Sequence, residues 1–236
     1  MQRRFFRLAA AAVLAIGIAA LQAASTAEAT TTCGSAGGWF DGAYKTGESL
    51  YSVSATLSNP NIPGLCGSSN SDVSLWPMIA SGTNANVLGY AQSGYGRHAG
   101  ESNTYYFAEY HHPNATGDVF KEGGVAASGV NYNEWYDFTG GHINMMVGST
   151  TYLITDYDPI LYWGSPWQAQ WFAETHQYGD DVPGTATNPA YVSSLQIKTC
   201  RSCGPTTPSG VVLYNNSARY AEGWDTTNSV FHVYTS

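Results

Sequence analysis

Charge is what this 236-residue chain has least of: 11% of its residues are charged, against roughly 25% in an average globular domain. What charge there is leans one way, with 9 Lys plus Arg against 17 Asp plus Glu, so a phosphate backbone is a poor partner and nucleic acid is excluded. A surface this poor in ion pairs loses few of them on acidification, while its self-repelling carboxylates are neutralised, a composition compatible with work at low pH. Long apolar runs are also missing, apart from one between Leu8 and Leu21 that is too short to anchor a protein permanently in a bilayer. Beyond that run no stretch keeps a helical period with caps, which argues against a helical bundle or a βαβ fold. Chemistry-bearing signatures are equally scarce. There is no H-E-x-x-H pattern or close Cys/His cluster, so no metal is expected, and zinc would need His111 or His112 to be joined by His98, His142 or His176. There is no phosphate-cradling glycine loop, and Ser93 lacks the G-x-S-x-G surroundings of a nucleophile elbow. No cofactor is expected.

The apolar run has the form of an export signal. Arg3, Arg4 and Arg7 precede it, and Ala27-Glu28-Ala29 supplies small residues for cleavage. Residues 1–29 are therefore set aside, and 30–236 are expected to form one secreted, extracellular domain, monomeric and without a membrane segment. Removal of the signal leaves 6 basic and 16 acidic side chains, a net charge of −10. No linker, repeat or shift in composition divides the remaining two hundred residues, enough for one sizeable core. Four cysteines in an exported chain suggest two disulfides with three possible connectivities. The expected pairs are Cys33 with Cys66, tethering the mature N-terminus, and Cys200 with Cys203, closing a small loop. A thiol-redox use of C-R-S-C lacks the βαβ pattern that normally carries it.

Strand signals fill the chain: SLYSVSATL, DVSLWPMIA, NVLGYAQSGYG, NTYYFAEYHH, HINMMVG, TTYLITDY, AQWFAETH, YVSSLQIKT, VVLYNN and SVFHVYT. They are short, rich in Val, Ile, Thr and aromatics, and bounded by Gly, Asn, Asp, Ser or Pro. MMVGSTTYLI predicts a hairpin. TDYDP at 155–159 suits a turn better than a calcium site. The pattern predicts an all-β fold, an antiparallel sandwich of two packed sheets.

Two segments concentrate the polar chemistry. In QAQWFAETH the strand period puts Gln170, Phe172, Glu174 and His176 on one face. In GYAQSGYG, Tyr90, Gln92 and Gly94 share a face, with Gly94 expected to leave open space beside the amide. A Glu facing a Gln is a catalytic arrangement, the carboxylate acting as base on a water and the amide stabilising an oxyanion. Glu109, on a face with Tyr105 and Phe107, is a second acid and is expected to support the site.

The order of GGWFDGAYKTGESLYSVSATLSNP, SLWPMIA, VLGYAQSGYG, YYFAEYHHP and QAQWFAETH resembles the eqolisin group of glutamic peptidases and, more distantly, the neprosin group. The resemblance covers most of the mature chain. It implies a concanavalin- or jelly-roll-like sandwich with a concave catalytic face and a polypeptide substrate. Carried over, Gln92 and Glu174 form the dyad, and Trp39 and Trp76 line the cleft. The alternation around both dyad residues predicts that they lie on neighbouring strands of one sheet, with Tyr90 and Glu109 supporting the site. Two other functions fit the same face: a glycoside hydrolase using Glu109 and Glu174 as paired carboxylates, and a non-catalytic secreted binding module.

Overall fold

The computed structural model describes residue 33 and residues 36–67, 71–83, 86–112, 117–163 and 167–236. The export segment expected at 1–29 lies outside the described residues. Among the described residues, fifteen strands, numbered along the chain, pair into two sheets. The first sheet has the order β13 (Val212–Asn215), β1 (Ala36–Glu48), β10 (Trp167–Gln177), β3 (Asp72–Thr83), β4 (Asn86–His98), β5 (Tyr105–His111) and β6 (Asp118–Val125). The second runs β14 (Tyr220–Thr226), β15 (Val230–Thr235), β11 (Gly184–Thr185), β12 (Asn188–Lys198), β2 (Ser52–Leu57), β7 (Val130–Asp137), β8 (His142–Val147) and β9 (Thr150–Ile154). All pairings are antiparallel except one parallel bridge, Thr185 with Thr235. The β-sandwich predicted from the sequence is the fold.

Side-chain alternation decides what lies between the sheets. Leu75, Ile79, Tyr95 and Trp171 point inward from the first sheet, and Val53, Leu57, Ile143 and Phe231 from the second, all essentially without exposure. Each buried aliphatic or Phe side chain of this kind stabilises by roughly 1.5–3 kcal/mol. Trp171 also places its indole N–H 3.1 Å from the Ser54 carbonyl, so its one polar atom is satisfied across the sandwich.

The predicted hairpin is present as β8–β9, where Gly148 takes φ +61 in the two-residue turn. TDYDP forms a turn into the four-residue helix α1 (Pro159–Tyr162), whose first turn is capped by Asp158 accepting from the Ile160 amide at 3.0 Å. Both expected disulfides are formed, Cys33–Cys66 and Cys200–Cys203.

The outer face of the first sheet is unusual in being apolar too. Trp76, Met78, Ala80, Phe107 and Phe172 make a second cluster there, with Phe40, Tyr44 and Tyr90 packed against it. Pro77 lies in the middle of the central strand β3. Its missing N–H coincides with the gap in the β3–β4 ladder between Leu75–Tyr95 and Met78–Gln92.

Candidate active site

The outer face of the first sheet carries a cleft of about 660 Å³, and strand register sorts its floor into cross-sheet rows. One row runs Phe120, Glu109, Gln92, Met78, Gln170, Tyr44 across β6, β5, β4, β3, β10 and β1. The next, two residues or about 7 Å along the strands, includes Phe107, Gly94, Trp76, Phe172 and Gly42. A third contains Tyr105, Gly96, Ser74, Glu174 and Phe40. An aromatic ridge therefore separates two polar rows.

The ridge depends on its glycines. A Cβ on Gly94 would sit 2.1 Å from the Leu75 carbonyl oxygen and 2.8 Å from Trp76 Cβ, and one on Gly42 would sit 2.8 Å from the Phe172 ring. The open space expected beside Gln92 is thus filled: the neighbouring backbone and Trp76 press against Gly94. Phe172 meets Trp76 and Phe40 edge-on, with ring centres 5.8 and 5.9 Å apart.

Gln92, 7% exposed, donates from Nε2 to Glu109 Oε2 at 2.8 Å. The other oxygen of Glu109 accepts the Tyr90 hydroxyl at 3.1 Å. Burial raises the Glu109 carboxyl above the ordinary glutamate range, against the lowering effect of these two hydrogen bonds, and the nearby charges of Asp118 and Glu174 raise it further. Burial, helped by the charge on Glu109, also raises the Tyr90 phenol, which stays a neutral donor.

Glu174 anchors a second polar group. The Trp76 indole N–H donates to its Oε2 at 3.2 Å, and His176 Nε2 lies 3.3 Å from its Oε1. His176 in turn meets Asp72 at 2.5 Å. The hydrogen bond to Asp72, then that to Glu174, pushes the imidazole up to about 10, so His176 is a cation bridging two carboxylates at neutral pH and below.

Several expectations need correction at this level of detail. Gln92 and Glu174 line the same cleft, but β3 lies between their strands, so they are not on neighbouring strands. Across β3, the partner row of Gln92 reaches Gln170, and Glu174 lies four residues further along β10. The carboxylate bonded to Gln92 is Glu109. Trp39 does not line the cleft. Its neighbour Phe40 does, and Trp39 packs toward the core and edge-on against Tyr178 at 5.6 Å. Trp76 and Tyr90 do line it. Alternation had already put Gln170 on the cleft face, but only register distinguishes it from Glu174. The Asp72–His176 pair, drawn from β3 and β10, has no local sequence signal. Among the described residues no three His, Cys, Asp or Glu side chains are grouped so as to hold a metal ion.

No protein-family model and no curated protein matches the sequence. Solved structures do. Scytalido-glutamic peptidase with a peptide-based transition-state analogue aligns over 86% of this chain and all of its own, with 11% identity and a TM-score of 0.52. The same peptidase with a transition-state analogue inhibitor gives the same figures. SCP-B, a member of the eqolisin family of peptidases in complex with the tripeptide Ala-Ile-His, aligns over 86% of this chain at 9% identity with a TM-score of 0.48. At such identity the likeness to scytalido-glutamic peptidase is one of fold.

Proposed function

From a sandwich of this fold with a polar, aromatic-floored cleft, we propose that the chain is a secreted endopeptidase of the glutamic type, working at mildly acid pH on polypeptides without a metal. The observation that carries the reading is the 2.8 Å hydrogen bond between Gln92 and Glu109 on the open face. Glu109, ionised above its raised pKa, takes a proton from a water as that water attacks the scissile carbonyl. Gln92 has a second amide proton to offer the oxyanion, a contribution of roughly 3–4 kcal/mol by comparison with other oxyanion donors. Glu109 then returns the proton to the departing amine. Tyr90 holds the carboxylate in place. Glu174, fixed by Trp76 and His176, binds the substrate on the far side of the ridge. The family resemblance selects Glu174 as base; strand register favours Glu109.

Work in mild acid is supported by the ion pairs. Each of the six histidines lies beside a carboxylate, from 2.5 Å for His176–Asp72 to 3.8 Å for His98–Asp72. His176, raised to about 10 chiefly by its hydrogen bond to Asp72 and then by that to Glu174, is already a cation at neutral pH, so its contacts with both carboxylates carry over into mild acid.

The test is a digest of denatured proteins by the purified secreted chain across pH 3 to 8, read by mass spectrometry. Cleavage unaffected by EDTA is expected, with an N-terminus near Thr30. Glu109→Gln should lower kcat by roughly 10²–10⁴-fold and Gln92→Ala by roughly 10²–10³-fold, with a smaller effect from Glu174→Gln. A silent Glu174→Gln protein beside an active Glu109→Gln protein would move the base to Glu174. Absence of any polypeptide cleavage, with polysaccharide hydrolysis lost in both Glu variants, would replace the peptidase with the glycosidase.

A further inference from the structure

Directly beneath Gln92, on the core side of β4, lies a buried acid with no part in the chemistry above. Glu134 on β7 is 0% exposed, and its Oε1 is in close contact with Ser93 Oγ. Ser93 Oγ also lies 3.3 Å from the Met146 carbonyl oxygen on β8. A hydroxyl carries one proton, so donating to both acceptors would split it between two weak bonds. Each contact is a full hydrogen bond when Glu134 is protonated and donates to Ser93, which then donates to Met146. The second oxygen, Oε2, is buried without a partner, tolerable for a neutral carboxyl and costly for a carboxylate.

The surroundings offer no compensating charge. Val53 and Met145 stand opposite Glu134 on β2 and β8, and Leu75 and Ile79 face inward from β3. Among the described residues, the titratable side chains facing this region are phenols: Tyr95 on β4, Tyr132 and Tyr136 on β7, and Tyr106 and Tyr110 on β5, which flank Ala108, the partner of Ser93. Burial raises Tyr95, Tyr110, Tyr132 and Tyr136, so they stay neutral. Desolvation pushes the Glu134 carboxyl well above its ordinary range, against the lowering effect of hydrogen bonds from the Ser93 side chain and from the backbone of Glu134 and Ser93.

We propose that protonated Glu134 is a positioning residue for Gln92: through Ser93 it pins β4 to β7 and β8 of the opposite sheet, and loss of its proton releases the strand that presents the amide. The inference rests on the peptidase reading for its catalytic consequence but not for its structural one. With Glu109 as base, activity needs Glu109 ionised and Glu134 protonated, so it occupies the pH window between the two groups.

The decisive experiment combines kinetics with amide exchange of β4. In wild type, protection of residues 87–96, corrected for intrinsic chemistry, should fall by up to roughly tenfold for each pH unit above the Glu134 pKa. E134Q, neutral at every pH, should hold that protection within about threefold from pH 5 to 9 and move the alkaline limb of kcat upward. S93A should lower kcat at least roughly tenfold with KM little changed. An E134Q protein that loses β4 protection as wild type does, or a wild-type loss spread evenly over both sheets, would overturn the strut. So would S93A with wild-type kcat. If the wild-type chain cleaves nothing, the peptidase reading fails while the exchange comparison still decides for or against the strut.

Discussion

Asp41 gives the most exacting test of the physical picture. It points inward from β1, is 0% exposed, and its carboxyl oxygens have no neighbour to bond other than Glu222. Burial first, then a side-chain hydrogen bond to Glu222 and the charge of that carboxylate, push it up to about 9 from an ordinary 3.8. The folded state therefore holds a proton that the unfolded chain releases above 3.8. Stability from this group is complete below that value and is lost progressively as pH rises toward about 9. The slope is roughly 1.4 kcal/mol per pH unit, so moving from pH 5 to pH 7 removes about 3 kcal/mol. That is a large share of the 5–15 kcal/mol or so that holds a domain together. Asp41→Asn keeps the shape, stays neutral and offers Glu222 an N–H donor, so its stability should not fall over this interval on account of this site. Urea unfolding at pH 5, 6 and 7 should show the wild-type free energy dropping about 3 kcal/mol more steeply than the variant's, with equal m-values. For a domain of this size that corresponds to a Tm difference of about 6–12 °C. Parallel curves for the two proteins would mean that Asp41 is not protonated in the fold.

Two further outcomes follow from packing and crosslinks. Gly94→Ala drives a methyl against the Leu75 backbone and Trp76, which should cost roughly 1–3 kcal/mol and lower Tm by several degrees; an unchanged Tm would mean that β3 and β4 can separate freely at this point. The Cys33–Cys66 bridge spans 33 residues and Cys200–Cys203 spans 3, so in the chain-entropy model serine replacements should cost about 4 and about 2 kcal/mol respectively, an order that denaturant titration of the two double variants can check.

The sheets were legible where strand alternation was clean. β2, β3, β4, β5 and β10 all lie in segments rich in β-branched, aliphatic or aromatic residues and bounded by turn residues. β1 and β7 were not legible, and the reason is the protonated acids: Asp41 and Glu134 occupy inward positions that the pattern reserves for apolar side chains. A sequence shows a carboxylate there, and only the fold shows a carboxyl. β6 escaped for the opposite reason, since it is an edge strand with a largely exposed, charged surface. At the site, alternation identified the cleft face of each strand, including Gln170, Phe172, Glu174 and His176. Which of these meets Gln92 is set by pairing through β3, a non-local register that neither strand encodes alone. Trp39 was placed in the cleft by the family resemblance, and strand alternation sets it one step off, since Phe40 is the residue on the cleft side.

The division of labour within each strand has a consequence for how such a chain changes over generations. Across the central strands of the first sheet, cleft positions and core positions interleave one for one, so a substitution on the working face leaves the packing on the other side largely untouched. Selection can then exchange the groups around Gln92 and Glu109 singly while the sandwich behind them stays intact. Gly42 and Gly94 are the exceptions. Each lets a neighbouring aromatic ring lie down against the backbone, so those two sites fix the height of the ridge and should be the slowest part of the cleft to drift.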